Sequence, residues 1–274
     1  MELLTPTPIE AEPTAFGALL RAWRAMRGRS QLALGLEAGV STRHVSYLET
    51  GRASPSRAMV LTLAQALDVP LRDRNRLLAA AGFAPLYRET PLDAPALGPV
   101  RDAMQFLLAA TEPNPTFIIN RRYDVLDANA TGRWIMSTFS TDLASFATPC
   151  NMAQLLTRPQ GMQPFVRNGD EVARKVLNRL RRDLGVAETR DARDEALLNE
   201  IEPVLARLGA PPAPTEMLPL IVGIQLRRGD LALNLFTTIA TLGTAQDVTL
   251  QEIRIETLFP ADADTKQLLA SRAR

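Results

Sequence analysis

The residues best placed to do chemistry lie in one short predicted helix, over residues 42–50. Val45 and Leu48 are three positions apart, so their side chains share one helix face and predict its buried stripe. Four polar side chains then face outward, and these are Thr42, Arg43, Ser46 and Tyr47. An exposed helix face of this kind is what entry into the DNA major groove requires. The pattern therefore predicts a DNA recognition helix.

The residues before this helix predict the element that must hold it in place. Ser30 and Ser41 are typical helix N-caps, which predicts a preceding helix that ends near Ala38. Gly39 follows that helix, where the chain needs a left-handed turn that favours glycine. Gly35 is a small residue where two helices must approach closely. Together these signals predict a helix-turn-helix.

Composition and periodicity divide the chain into a helical first part and a mixed second part. Apolar residues at spacings of three and four predict three further helices, over residues 16–27, 56–67 and 71–81. The predicted organisation is a disordered tail over 1–14, an all-α domain over 15–87, a proline-containing linker over 88–99 and a second domain over 100–274.

The second part has the pattern of an α+β domain. A helix is predicted over 100–110, a β-hairpin joined by Arg121-Arg122 follows, and residues 129–209 read as mostly helical with an interruption at Pro203. Three alternating segments, starting at Leu218, Leu231 and Ile253, predict three more strands. We therefore expect a five-stranded antiparallel sheet with helices packed on one face.

Charge is distributed unevenly along the chain. The formal net charge is +1, but residues 1–88 hold 11 arginines against 7 acidic residues. Within residues 15–60 the imbalance is 7 arginines to 2 glutamates. A basic first part joined to a slightly acidic second part is typical of a DNA-binding head with a partner domain that does not bind DNA.

Several classes of function are disfavoured by what the composition lacks. The only histidine is His44, inside the recognition helix, so the second domain cannot hold a Ser-His-Asp or Cys-His arrangement or a histidine-ligated haem. Cys150 is the only cysteine, which excludes an internal disulfide and a cysteine zinc cluster, and we expect it to be an ordinary small residue. No glycine-rich phosphate loop is present. We expect neither an enzyme nor a cofactor.

The helix-turn-helix segment resembles a known family. Residues 31–48 and the following Glu49-Thr50-Gly51-Arg52 resemble the phage-repressor-type helix-turn-helix of the Xre class. The wider pattern resembles bacterial regulators with an MmyB-like ligand-binding domain, through the segments 37–44, 77–83, 112–115, 121–129 and 237–247. The resemblance covers residues 16–261 and implies a PAS-like second domain with an internal apolar pocket for a fatty-acid-like ligand.

The resemblance also implies roles in DNA contact. Thr42, Arg43 and Tyr47 occupy positions that reach base edges in this family, and the Arg43 guanidinium suits guanine O6 and N7. Ser46 would bind a base or the backbone. Four residues would contact phosphates, and these are Gln31, Ser41, Arg52 and Arg57. Tyr47 has the alternative of touching only the sugar-phosphate backbone.

Glu49 stands apart from these residues, because a carboxylate is repelled by phosphate. We therefore expect it to form a structural ion pair.

For the pocket, the sequence offers only apolar side chains on predicted strands and nearby helices, each equally suited to plain core. The candidates are Phe106, Phe117, Ile119, Trp134, Phe139, Leu233 and Leu235. Asn129 is a candidate polar group in the pocket, with helix capping as its alternative. Gly169 stands where many relatives carry tryptophan, which predicts either a changed pocket or simply a helix start.

The prediction is thus a cytoplasmic bacterial transcription regulator, a repressor rather than an activator, with operator DNA and a small apolar ligand as partners. One recognition helix covers only a few base pairs, so we expect a homodimer that reads two half-sites. No apolar run is long enough to span a membrane. Two alternatives are open: a second domain that only dimerises or binds proteins, and a helix-turn-helix used for protein contact.

Overall fold

The computed structural model describes residues 14–146, 148–208, 223–243 and 245–272, which form two compact units. The first unit extends to Glu89 and includes two short later segments, 185–190 and 246–248. These segments lie within the range 100–274 that was predicted for the second domain. Most of the predicted tail lies outside the described residues, but Thr14 caps the first helix by accepting a hydrogen bond from the Gly17 amide.

Five helices form the first unit, as the periodicity predicts. They are α1 (Ala15–Met26), α2 (Gln31–Ala38), α3 (Thr42–Glu49), α4 (Arg57–Ala66) and α5 (Leu71–Ala80). Serines at positions 30, 41 and 56 cap α2, α3 and α4 through their side-chain oxygens. The core holds Trp23, which is 1% exposed, together with apolar side chains from all five helices.

The second unit contains five strands and the remaining helices. The strands are β1 (Thr116–Ile119), β2 (Val125–Ala128), β3 (Gly223–Arg228), β4 (Leu231–Thr241) and β5 (Arg254–Pro260). The helices are α6 (Gly98–Ala110), α7 (Ala130–Thr138), α8 (Met152–Thr157), α9 (Gly169–Asp183), α10 (Ala192–Arg207), α11 (Val248–Glu252) and α12 (Ala263–Arg272). A 3-10 helix, Pro95–Leu97, occupies the end of the predicted linker.

The strands form one antiparallel sheet in the order β2-β1-β5-β4-β3. This confirms the predicted five-stranded antiparallel sheet. In β1, Phe117 lies opposite Glu256 of β5, and in β4, Ile239 lies opposite the same residue. These pairings put the three side chains on one face of the sheet, because facing residues of neighbouring strands point the same way.

Helices cover both faces of this sheet, which corrects the prediction of helices on one face. The inner face, with Phe117 and Ile119, packs against side chains of α7, α8, α9 and α10. Ile118 points the opposite way and packs with Met104 and Leu108 of α6. β1 is buried on both faces and its last three residues are all apolar, so no alternation along the strand reveals the second layer of helices.

α10 continues through Pro203 instead of breaking there. Proline removes a helical hydrogen bond, but Leu197, Leu198 and Ile201 bury the preceding turns in the core and hold the helix together. The strand predicted from Leu218 falls partly outside the described residues, and its described part begins at Gly223.

None of the described helices combines the length and the apolar character needed to cross a bilayer.

Candidate nucleic-acid interface and ligand cavity

The turn between α2 and α3 depends on two glycines with different constraints. Gly39 ends α2 with φ = +68°, the left-handed conformation that glycine adopts without strain. Gly35 needs space instead, because a Cβ there would lie 2.7 Å from the Val40 carbonyl oxygen. Both glycine predictions are confirmed. Val45 and Leu48 are fully buried, as predicted, so the orientation of α3 is set by the core.

The outward face of α3 carries the four polar side chains predicted for it. Arg43 is exposed, and its Nε donates a hydrogen bond of 2.7 Å to the Tyr47 hydroxyl. Its guanidinium carbon lies 5.2 Å from the centre of the Tyr47 ring. Thr42 and Ser46 are half-buried on the same helix. The structure thus brings Arg43 and Tyr47 together as one hydrogen-bonded pair on the outward face of α3.

The two residues at the starts of α2 and α3 are anchored differently. Ser41 Oγ accepts a hydrogen bond of 3.1 Å from the His44 amide and so caps α3. Gln31 Nε2 donates to Glu49 Oε2 at 2.8 Å, which connects α2 to the end of α3. Glu49 is fully buried and forms an ion pair with Arg24 at 2.6 Å, so the expected structural ion pair is confirmed.

The basic residues after α3 are exposed. Arg52 follows Gly51, which has φ = +75°, and its backbone amide donates to the Tyr47 carbonyl at 2.8 Å. Arg57 is the first residue of α4, and its side chain is also exposed. Both guanidinium groups are therefore accessible to an anionic partner.

Sequence reasoning missed Gly17 of α1. A Cβ at that position would lie 2.6 Å from the Leu48 carbonyl oxygen and 2.7 Å from that of Glu49. The close approach of α1 to the end of α3 thus depends on a glycine within the apolar face of α1. That glycine is the only local signal that the sequence gives.

The second unit contains a cavity of about 660 Å³ between the inner face of the sheet and the helices, and it is partly open to solvent where Lys175 and Arg182 are exposed. Its size falls within the roughly 300–1,000 Å³ that is usual for small-molecule sites. The apolar part of its wall consists of Phe117, Ile135, Met152, Leu156, Met162, Val172, Val176, Ile224, Ile239 and Leu258. The polar part consists of Tyr123, Lys175, Asn178, Arg179, Arg182, Thr237 and Glu256.

Helix α9 forms one long side of this cavity by crossing the inner face of the sheet. Near its start, Asn168 Nδ2 donates to the Gly223 carbonyl of β3 at 2.9 Å. At its end, Asp183 forms an ion pair with Arg254 of β5 at 3.1 Å. Between these anchors Val172, Val176, Arg179 and Arg182 recur on one face of the helix. The helix therefore presents two valines in its first half and two arginines in its second half to the cavity, with Lys175 and Asn178 beside them.

The end of the cavity at β5 contains paired charges. Arg179 Nη1 lies 3.4 Å from Glu256 Oε1, and the Glu256 side chain is only 13% exposed. Burial raises the pKa of Glu256, an effect that the nearby Arg179 and Arg254 guanidinium groups oppose. Burial likewise raises the pKa of Asp183, against the opposing charge of Arg254. Each buried carboxyl therefore forms an ion pair with one arginine, and both Arg179 and Arg254 act on both carboxyls.

Of the predicted pocket residues, Phe117 lies in the cavity wall. Phe106 is 72% exposed on α6, on the other side of the sheet from the cavity. Ile119, Phe139, Leu233 and Leu235 are buried in the core and do not line the cavity. Their apolar character alone could not separate wall from core, because both have the same alternation.

The two polar or amphipathic candidates also have other roles. Asn129 caps α7, and its side-chain oxygen accepts hydrogen bonds from the amides of Gly132 and Thr116. These contacts agree with the predicted helix cap and not with a polar group in the pocket. Trp134 packs against Phe139 with ring centres 6.4 Å apart, and Arg272 lies 3.9 Å from the centre of a Trp134 ring.

Gly169 is simply the first residue of α9. A Cβ there would have its nearest neighbour at 4.0 Å, and the residue does not line the cavity. This placement agrees with a helix start and gives no reason to expect a changed pocket.

The described residues contain no group of three or more His, Cys, Asp or Glu side chains that could hold a metal ion. Cys150 is half-buried, and burial raises the pKa of its thiol to about 11.

Two protein families match different parts of the chain. The family described as "MmyB-like transcription regulator ligand binding domain" matches residues 100–271, more than half of the chain, and a "Helix-turn-helix domain" family matches residues 15–77. No curated protein matches the chain.

Among solved structures, the chain is similar to the restriction-modification controller protein C.AhdI from Aeromonas hydrophila. The identity is 34%, with 22% of this chain and 92% of that chain covered and a TM-score of 0.22. It is also similar to the clp gene regulator ClgR from C. glutamicum, at 30% identity, 25% and 86% coverage and a TM-score of 0.23.

Proposed function

The chain belongs to the MmyB-like family of helix-turn-helix transcription regulators, and we propose that it is a repressor that binds operator DNA as a homodimer and responds to a fatty-acid-like ligand. The family is described as one of transcription regulators, which are not a class of enzyme. The observation that carries the DNA-binding half is the outward face of α3. Its apolar residues are fully buried, while Arg43 and Tyr47 are held together on the surface.

In the proposed complex α3 enters the major groove. Arg43 exchanges its hydrogen bond to Tyr47 for the two acceptors of a guanine, a bidentate contact worth about 1–3 kcal/mol of discrimination. Thr42 offers its methyl group to thymine, and Ser46 and Tyr47 contact bases or the backbone. Phosphates are bound by Ser41, Gln31, Arg52 and Arg57, which fix the position of the helix without reading sequence.

Two copies are proposed because one α3 covers too few base pairs to specify an operator. Selection of bound sequences from a random DNA library with the full chain tests both sequence-specific binding and the two-copy arrangement. A palindromic or repeated half-site with a fixed spacing is expected. Binding without sequence preference would instead favour a helix-turn-helix that contacts proteins.

The proposed ligand occupies the cavity of the second unit. A wall built mainly from aliphatic and aromatic side chains suits an acyl chain, and the exposed Lys175 and Arg182 provide positive charge for its carboxylate. Ligand binding would change the geometry of the two DNA-binding heads only if it favours one arrangement over the other. This preference would make the ligand a regulator of operator affinity.

Denaturing extraction of the purified full chain, followed by mass spectrometry, tests the ligand. A stoichiometric lipid-like molecule is expected. If none is found and dodecanoate neither raises Tm nor changes operator affinity, the second unit is a dimerisation or protein-interaction module. The sign of regulation is tested by deleting the gene, which should raise transcription from promoters that contain the selected site.

A further inference from the structure

Tyr123 has an unusual place in the wall of the cavity. It lies in the turn between β1 and β2 with φ = +66°, a left-handed conformation that is uncommon outside glycine. Its amide donates to the Asn120 carbonyl at 2.9 Å, and its carbonyl accepts from the Met152 amide at 2.7 Å. The backbone is therefore fixed on both sides, and the side chain is 1% exposed.

The hydroxyl at the end of this side chain is unsatisfied. Among the described residues, none makes a hydrogen bond of good geometry with Tyr123 Oη, and the neighbouring Arg179 guanidinium has only donors, so the phenol proton has no acceptor. Burial raises the pKa of this phenol, so it stays protonated and retains a donor at neutral pH. A buried polar group without a partner costs free energy, and such groups are rare unless they have a use.

The charges around this hydroxyl are paired with each other. Glu256 pairs with Arg179 at 3.4 Å and Asp183 pairs with Arg254 at 3.1 Å, so each of the two acidic groups at this end already has a guanidinium partner. A carboxylate placed here would be repelled by the carboxylates of Glu256 and Asp183. An uncharged oxygen would not be repelled, and it could accept a hydrogen bond from the Tyr123 hydroxyl.

We propose that the cavity selects a ligand with a neutral oxygen, a hydroxyl or a carbonyl, which accepts a hydrogen bond from Tyr123 Oη. The inference rests on the proposed ligand-binding function and narrows the ligand class from plain fatty acids to oxygenated, uncharged or bifunctional aliphatic molecules. The apolar wall contacts the aliphatic part of the ligand, and Tyr123 Oη donates a hydrogen bond to its oxygen.

Three ten-carbon probes test the proposal on the full chain: decan-1-ol, decane and decanoate. Affinities are measured by displacement of a fluorescent apolar dye from the wild type and from Tyr123→Phe. A net hydrogen bond of ordinary strength predicts that this variant loses about three- to tenfold of its preference for decan-1-ol over decane. Tyr87→Phe, in the first unit and outside the cavity wall, is the matched control and should change nothing.

The stability of the ligand-free protein shows whether the Tyr123 hydroxyl serves ligand binding or stabilises the fold. Tyr123→Phe removes a buried group without a partner and should leave Tm unchanged or raise it. A structural hydroxyl would lower Tm, which would overturn the proposal.

The other outcomes are also decisive. If Tyr123→Phe weakens the binding of decanoate as much as that of decan-1-ol, the hydroxyl binds a carboxylate and the neutral-oxygen assignment is wrong. If it weakens neither, Tyr123 does not contact the ligand. If none of the three probes binds the wild type, the proposed ligand-binding function fails first, and this inference fails with it.

Discussion

Arg24 in α1 binds both carboxylate oxygens of Glu49, at the end of α3, with distances of 2.6 and 3.0 Å. Glu49 is completely buried, and Arg24 is 16% exposed. Gln31 of α2 donates to the same carboxylate at 2.8 Å. Side chains from both of the preceding helices thus converge on the end of the recognition helix, which links the orientation of the DNA-reading surface to the core.

Breaking this ion pair should destabilise the first unit strongly. Arg24→Met removes the closer of the two arginines that pair with the buried Glu49 carboxylate and leaves only the half-exposed Arg21, 3.7 Å away. Breaking a buried ion pair typically costs about 3–5 kcal/mol, and the remaining Arg21 places the expected loss at or below that range. Urea unfolding followed by Trp23 fluorescence, in a Trp134→Phe background, measures the loss in that unit alone.

The matched control for Arg24→Met is Arg29→Ala. Its partner Glu37 lies 3.5 Å away, and both side chains are about half exposed, so the expected loss is below about 1 kcal/mol. Equal effects of the two substitutions would show that the Glu49 pair contributes no more than a surface pair.

Arg43→Ala should remove sequence preference more than overall affinity. The loss of a bidentate base contact is expected to reduce the difference between the selected operator and a scrambled duplex by about 1–3 kcal/mol. Fluorescence anisotropy at one fixed salt concentration gives both dissociation constants. An equal loss on both duplexes would place Arg43 on the phosphate backbone.

Arg52→Ala and Arg57→Ala should act differently from Arg43→Ala. Each is expected to weaken binding to all sequences and to lower the slope of log K against log salt concentration by about 0.9, the value for one lost phosphate contact. The same titrations at four or five salt concentrations give the slope. A slope that stays at the wild-type value would remove that arginine from the interface.

Substitutions of the two glycines in the turn should show whether each is required for lack of space or for its backbone conformation. Gly39→Ala meets no neighbour within 4 Å but must adopt φ = +68°, which costs about 1–2 kcal/mol. Gly39→Asn should recover part of this stability, because asparagine tolerates the left-handed conformation. Urea unfolding of the two variants measures the difference.

Gly35→Ala should destabilise for another reason, because its Cβ would lie 2.7 Å from the Val40 carbonyl oxygen and the backbone must shift. Overpacking of this kind costs about 1–3 kcal/mol. Gly35→Asn should be no better than Gly35→Ala. Recovery of stability by asparagine at position 35 would contradict the steric explanation.

The Cys150 thiol should react slowly in the folded protein. Burial raises its pKa to about 11, so the thiolate, which is the reactive form, is scarce at neutral pH. Alkylation by iodoacetamide should still be accelerating about tenfold per pH unit between pH 8 and 10, whereas an unfolded cysteine levels off near its pKa of about 8.5. A plateau near pH 9 in the folded protein would contradict the shift.

The sign of the linked effect on stability follows from the same shift. Because the folded pKa of Cys150 lies above the unfolded one, the folded state favours the neutral thiol. This contribution to stability is complete below the unfolded pKa and is lost as the pH rises toward 11. A Cys150→Ser variant should therefore lose less stability than the wild type between pH 9 and 11.

Short-range signals explain how much of the first unit could be predicted. The caps at Ser30 and Ser41, the left-handed Gly39 and the spacing of Val45 and Leu48 each act within a few residues. The antiparallel sheet was predictable for the same reason, since alternation is local. The face on which α6 packs was not predictable, because β1 is apolar on both sides.

The sequence by itself determined the helix-turn-helix, its exposed polar face and the α+β class of the second unit, because these depend on local spacing and conformational preference. Only the tertiary structure decided which side chains line the cavity. Phe117 in β1, Tyr123 in a turn, Arg179 in α9 and Glu256 in β5 are far apart in the chain, and only the pairing of β1 with β5 and the crossing of α9 bring them together. Whether a buried hydroxyl such as that of Tyr123 has a partner depends on those neighbours, and no local pattern records it.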